Sequence, residues 1–266
     1  MNATNLNDVF SDLSQGFKSW RIWILLGWQD IHLRYRRSVL GPFWLTLSMA
    51  AFIYSLGFLY AQLFNAELSV YYPFIATGLV SWTFIAATIN DSTETFLNAT
   101  EYIQQIKLPY SVYVLRLIFN NVIILLHNVL AIVPILIIFK VGPTAFSFLV
   151  LLSNLILILF CLFCYSFILS LIGTRFRDIK PIINSVLPIV FLLSPILWMP
   201  EMLPERFSYL ADYNPFYHLV NLIREPFLGQ LPSVLSYQFS IMITLFGFFM
   251  MLFLLWTNRH KIAFWL

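Results

Sequence analysis

Charge is what this sequence has least of. Only 10% of its 266 residues are Asp, Glu, Lys or Arg, while 60% are hydrophobic; a soluble domain carries about 25% charged residues. So few charges cannot cover a water-facing surface, so lipid is the solvent for most of the chain and a soluble fold is excluded. Cysteine is almost missing. Cys161 and Cys164 lie in "LILILFCLFCYSFIL", on one face of an apolar helix without the activating neighbours or water of a redox or metal site, and they read as packing residues.

Other absences exclude chemistry. No G-x-x-x-x-G-K-[ST] loop occurs, which rules out ATP binding through a P-loop. No metal-spaced His or Cys cluster is present, nor an acidic cluster of the kind a metal-dependent transferase uses. No catalytic residue, metal ligand or cofactor is therefore assigned to this chain, and no nucleic-acid partner is expected. Secondary transporters place coupling charges near the bilayer midplane, and the first, fourth, fifth and sixth apolar runs show none. His127, beside Asn128, reads as a residue hydrogen-bonding between helices. Asp91 and Glu94 share a helical face near the end of a span and read as helix-end or partner contacts. The driving energy has to come from another subunit.

What remains is apolar runs. A span takes about 20 apolar residues, and residues 40–64, 73–93, 109–139, 146–172, 181–199 and 236–257 qualify. The fold class is an all-α polytopic membrane protein, one transmembrane domain over 1–266 with six spans. Lys18, Arg21, Arg34, Arg36, Arg37, Lys107, Arg175, Arg177, Lys180, Arg259 and Lys261 fall on one side of these spans, and only Lys140, Arg206 and Arg224 on the other. By the positive-inside rule both termini are cytoplasmic. "LRYRRSVLGPFW" (33–44) is no twin-arginine signal: it lies far from the start, and its apolar stretch is too long and is followed by more spans.

The connecting segments carry the rest. Residues 1–16 read as a tail. In "GFKSWRIWILLGWQDIHLRYRR", Lys18, Arg21, Gln29, His32 and Arg36 form one helical stripe, with Phe17, Trp20, Ile24, Ile31 and Tyr35 opposite, which predicts an interfacial helix over 17–37. Gly41 breaks it and Pro42 suits the next first turn. Asn98 with Glu101 resembles a capping pair and predicts a short helix over 99–107, either a turn between spans or a docking helix for a cytoplasmic partner. "GTRFRDIKP" is a second basic cytoplasmic loop. In residues 200–235, Asn214 caps a helix opened by Pro215 and closed near Pro226, with Phe216, Leu219, Val220, Ile223 and Phe227 on one face.

"DIHLRYRRSVLGPFWLTLSM" resembles the start of the membrane subunits of polysaccharide-exporting ABC transporters, the permeases for O-antigen, capsule and teichoic-acid chains. "IKLPYSVYVLR", "GTRFRDIKPIINSVLP", "LSPILWMP" and "YNPFYHLVNLIREPFLG" follow in the same order and are similar to later parts of that family. The resemblance implies a homodimeric permease in the bacterial inner membrane that pairs with two copies of a separate ATPase, which holds the ATP and Mg. It implies export of a lipid-linked polysaccharide of the O-antigen type used in lipopolysaccharide biosynthesis, with capsule, teichoic acid or a small lipid or drug as alternative cargo. By the same analogy Asn98, Glu101, Tyr102, Gln104, Gln105, Lys107, Arg175, Arg177 and Asp178 couple to the ATPase. Trp44, Ser48, Phe52, Ser55, Asn184, Pro188 and Pro195 line a channel, and 200–235 is an outer gate with Asn214, Pro215, Phe216, Leu219 and Arg224. Arg34, Arg36 and Arg37 either anchor the interfacial helix or meet the carrier lipid's phosphates. A membrane-embedded enzyme of glycolipid assembly and a non-transporting scaffold subunit are the readings from other classes.

Overall fold

The computed structural model describes residues 6–266, which are helical and contain no strand. Helices α1 (Leu6–Lys18) and α2 (Trp20–Tyr35) come first. Next are α3 (Phe43–Leu63) and α4 (Leu68–Ser92), the short α5 (Thr100–Gln105), then α6 (Tyr110–Ile138) and α7 (Ala145–Arg175). The chain ends with α8 (Ile179–Leu193), α9 (Tyr209–Asp212), α10 (Pro215–Phe227), α11 (Val234–Asn258) and α12 (Ile262–Trp265). Among the described residues, five helices are long and apolar enough to cross a membrane: α3, α4, α6, α7 and the helical stretch that begins with α11.

The apolar run at 181–199 does not form one long helix. Its helix, α8, has 15 residues, roughly 22 Å at 1.5 Å per residue, short of a hydrocarbon core about 30 Å thick. Pro195 is the physical reason. A residue preceding proline is pushed out of the helical region, and Ser194 is extended at φ −90°, ψ 142°.

The N-terminal region also departs from expectation. Residues 6–18 are helix rather than tail, the interfacial segment is two helices broken at Ser19, and residues 1–5 lie outside the described residues. Tertiary anchoring explains α1. Val9 and Asp12 are buried, and Gly16 sits so close to Ser111 that a Cβ there would overlap it. The carboxylate of Asp12 accepts the backbone N–H groups of Tyr110 and Ser111, each at 3.1 Å, and the Ser111 hydroxyl at 2.9 Å. It also pairs with Arg259 at 3.2 Å. Pro109, at the N-cap of α6, has no side-chain oxygen to offer, so Asp12 caps α6 from another helix. Asp12→Ala is expected to lower stability by about 1–3 kcal/mol by stranding these donors and the Arg259 charge. Thermal aggregation in detergent should begin earlier and α1 should become protease-sensitive, with Asp12→Asn intermediate because an amide oxygen still accepts.

Gly41, at φ +55°, turns the chain between α2 and α3 in the left-handed region that glycine enters without penalty. Of the expected apolar stripe, Ile31 is the residue of α2 that is buried. Gly27 and Ile31 are buried, and Phe119, Asn120 and the Arg116 carbonyl of α6 crowd Gly27, while Phe17 and Trp20 stay half-exposed.

Around α4 the core divides in two. One cluster holds Tyr71, Ile75, Leu79, Ile132, Ile158, Leu219 and Ile223. The other, at the end bearing α1, α5 and α12, holds Val9, Phe96, Tyr113, Phe167, Met251 and Leu255. We call the second end the basic end. Both cysteines are buried and unbonded within α7. The most apolar stretch of α4 is 67% buried and that of α3 only 17%, and α8 has no buried residue. Helices α3 and α8 thus leave most of their surface to something outside this chain.

Candidate functional site

A groove runs between α3, α4 and α8, with a volume of about 460 Å³. Trp82 and Phe191 are in ring contact at its wall, with centroids 5.7 Å apart, and Phe52 and Thr83 add to it. Of the seven expected lining residues the structure brings three here, Phe52, Asn184 and Pro188. Trp44, Ser48 and Ser55 are exposed elsewhere on α3. Pro195 is buried, and its carbonyl accepts from Arg224. The groove has few charges and several aromatic faces, which suits a neutral chain sliding past more than it suits an ion.

Beyond the groove, away from the basic end, α10 enters the bundle instead of lying on it. Asn214 caps it as expected, its Oδ1 accepting Phe216 N–H at 2.9 Å and Tyr217 N–H at 3.1 Å. Its amide also donates to the Ser194 hydroxyl at 3.0 Å, tying the cap to the end of α8. Pro215 opens the helix, Phe216 meets Trp82 edge-on, and Leu219 is buried. Arg224, expected on the outer side as part of the gate, is 1% exposed. Its guanidinium lies 3.9 Å over the Phe74 ring and donates to the Pro195 carbonyl at 2.8 Å. Among the described residues no carboxylate pairs with it.

The basic end is organised differently. Glu101, Gln104, Gln105 and Lys107 on and after α5 are exposed, as are Arg175, Arg177 and Asp178 before α8. Tyr102 is half-buried under the Arg116 guanidinium, 5.5 Å from its ring centroid. The expected Asn98–Glu101 capping pair does not form; α5 starts after Ala99 with no side-chain cap. Its first N–H groups are already satisfied by the preceding turns, as in Thr100 N–H to Leu97 O at 3.3 Å. A hollow between the α5 and α8 segments is lined by Thr93, Glu94, Leu97, Thr100, Arg177 and Lys180.

A polar cleft of about 390 Å³ opens beside it between α2, α4 and α6. Asp30 forms a two-pronged ion pair with Arg116 and accepts from Asn120 at 2.9 Å. Glu94 pairs with Lys180, and Asn121 donates to Asp91 at 3.3 Å. Arg34 lines the cleft, whereas Arg36 and Arg37 are exposed outside it, so the arginine trio is divided. Sequence reading missed Asp30, Asn120 and Asn121 as site residues. Their one signal was three polar residues inside otherwise apolar or interfacial helices. The His127 ring hydrogen-bonds Ile123 O of its own helix and meets Phe43 of α3 edge-on, while its backbone carbonyl receives the inter-helix hydrogen bond, from Thr46 at 2.8 Å.

The sequence profile of the ABC-2 type transporter family matches residues 21–228, which includes α2 through α10. Two O-antigen export system permease proteins RfbA from Klebsiella pneumoniae are similar. One is 25% identical over 221 residues, 83% of this chain and 84% of that protein. The other is 26% identical over 215 residues, 79% of this chain and 80% of that protein. With its several apolar spanning helices, this is a multi-pass membrane protein, and it belongs to the membrane subunits of the ABC-2 type transporter family.

Proposed function

We propose that this chain is the permease half of an exporter that carries a lipid-linked polysaccharide of the O-antigen type across the bacterial inner membrane. The observation that carries this reading is the similarity to two O-antigen export permeases over about four-fifths of the chain. The aromatic, charge-poor groove between α3, α4 and α8 supports it. Two copies meet through α3 and α8, the spanning-region helices with the least burial of their own, and their facing grooves form the channel; closed two-fold symmetry is the commonest solution for such pairs. The short α8, continued by residues 194–203, makes the sixth crossing, and both termini lie in the cytoplasm with the basic end.

Two copies of an ATP-binding cassette subunit dock on α5 and the 175–181 loop, where exposed polar residues surround the hollow at Thr93, Glu94 and Arg177. Movement there reaches α8 directly, since Lys180 is held by Glu94 at its base. It reaches the outer gate through Asn214 and Arg224, which hold the other end of α8 and the Pro195 carbonyl. ATP and Mg belong to the partner; this chain contributes the path and the levers.

Co-purification with a cassette ATPase encoded beside it, followed by reconstitution, tests the assignment. Inverted vesicles holding both subunits are expected to take up a polyprenyl-diphosphate-linked polysaccharide only with hydrolysable ATP. Absence of any associated ATPase, together with no ATP-dependent movement, overturns it.

A further inference from the structure

Six charged side chains line the cleft between α2, α4 and α6, and they do not all cancel in pairs. Asp30 is held by Arg116, and Glu94 by Lys180. One charge of each sign is left over. Arg34 stands in the last turn of α2 and Asp91 in the last turn of α4, and both are exposed. The Asp91 carboxylate accepts the Asn121 amide at 3.3 Å. Among the described residues no ion pair joins it to Arg34, although the two lie near enough for Arg34 to act on it through space.

The leftover charges narrow what fits between them. A group with negative charge alone meets Arg34 but is repelled by Asp91, and a cation has the reverse problem. A zwitterion satisfies both: a phosphate takes the guanidinium fork, and an ammonium donates to the carboxylate. The cleft is also graded from polar to apolar. Along α6, Arg116 lies towards the basic end, and Ile124 lines the same cleft eight residues on, roughly 12 Å further into the apolar part of the helix. Leu117 and the exposed Leu33 add apolar wall beside the charges. About 390 Å³ has room for a small polar group and the start of an attached chain.

We propose that this cleft is a binding site for a zwitterionic phospholipid of the ethanolamine type, its phosphate on Arg34, its ammonium on Asp91 and an acyl chain running past Leu117 and Ile124. Such a lipid ties the end of α2 to the end of α4, next to the Glu94–Lys180 pair at the base of α8. The inference uses the membrane reading of the fold and goes beyond the export reading, since it does not depend on the cargo.

Native mass spectrometry of the full chain, titrated in detergent with palmitoyl-oleoyl phosphatidylethanolamine, the matching phosphatidylglycerol or undecaprenyl diphosphate, tests it. The ethanolamine lipid is expected to bind at least about fivefold tighter than either purely anionic lipid. Asp91→Asn, whose amide oxygen still accepts from Asn121, should bring the ethanolamine lipid down to the level of the glycerol lipid. Arg34→Gln should weaken both phospholipids about fivefold or more, and Arg36→Gln, exposed outside the cleft, should change neither. Arg34→Gln, on an exposed residue, carries the test if Asp91→Asn does not fold. Equal binding of the three lipids, tighter binding of an anionic one, a preference that survives Asp91→Asn, or no effect of Arg34→Gln overturns the proposal. The readout needs no ATPase and no polysaccharide, so failed export with an intact ethanolamine preference removes the transport reading alone, and the converse removes this site alone.

Discussion

Replacing Arg224 with methionine is expected to cut polysaccharide export more than about tenfold, a loss of about 1.4 kcal/mol or more, while the protein still folds and inserts. The reasoning starts from cost. A guanidinium buried to 1% exposure has surrendered its hydration, and among the described residues it has no carboxylate in return. Burial draws its pKa down to about 10, which leaves it charged at neutral pH. Buried charges held this way are seldom kept for stability, because apolar residues of similar volume are often neutral or stabilising in their place. Methionine fills the space beside Phe74 and Gly78 but cannot donate to the Pro195 carbonyl, the point where α8 ends and α10 takes hold. Stability is expected to change by less than about 2 kcal/mol, as relief of desolvation offsets one stranded acceptor. Lysine, a point charge without the planar fork, should export at an intermediate rate. Vesicle uptake beside a thermal melt separates the cases: normal uptake removes Arg224 from the gate, and an unfolded variant makes it a structural residue.

Much of the fold was legible in the sequence because lipid leaves few options. Long apolar runs must be helices, and α3, α4, α6, α7 and α11 lie within a few residues of where hydropathy puts them. Local chemistry was legible too where it acts within one turn, as in the Asn214–Pro215 start of α10. What stayed hidden depends on partners far along the chain. Asp12 and Ser111, almost a hundred residues apart, decide that residues 6–18 are helix, and Asp30 and Arg116 define the cleft from two helices. The burial of Arg224 was hidden for a related reason: only its contacts with Phe74 and the Pro195 carbonyl show that the 200–235 segment turns inward there. The end of α8 at Leu193 follows from Pro195 alone, although the apolar run itself continues past it.

Filling the groove gives the second large effect. Asn184→Trp is expected to lower export by about tenfold or more while ATP hydrolysis by the assembled complex stays within about twofold of the parent. Asn184 lines the groove with Phe52, Trp82, Pro188 and Phe191, and an indole there occupies a substantial part of its roughly 460 Å³. The substitution is gentle on the fold, because α8 buries none of its residues against the rest of this chain. Hydrolysis should persist because the proposed docking surface at α5 and the 175–181 loop lies at the basic end, below the plug. Val186→Trp is the matched control: it adds the same bulk to α8 on a residue that does not line the groove, so export should remain near the parent level. The comparison discriminates between a path and a packing surface. If both tryptophans stop export, α8 acts through its contacts with the second copy; if neither does, the polymer passes somewhere other than this groove. Block by Asn184→Trp alone is the outcome that follows from a channel walled by α3, α4 and α8.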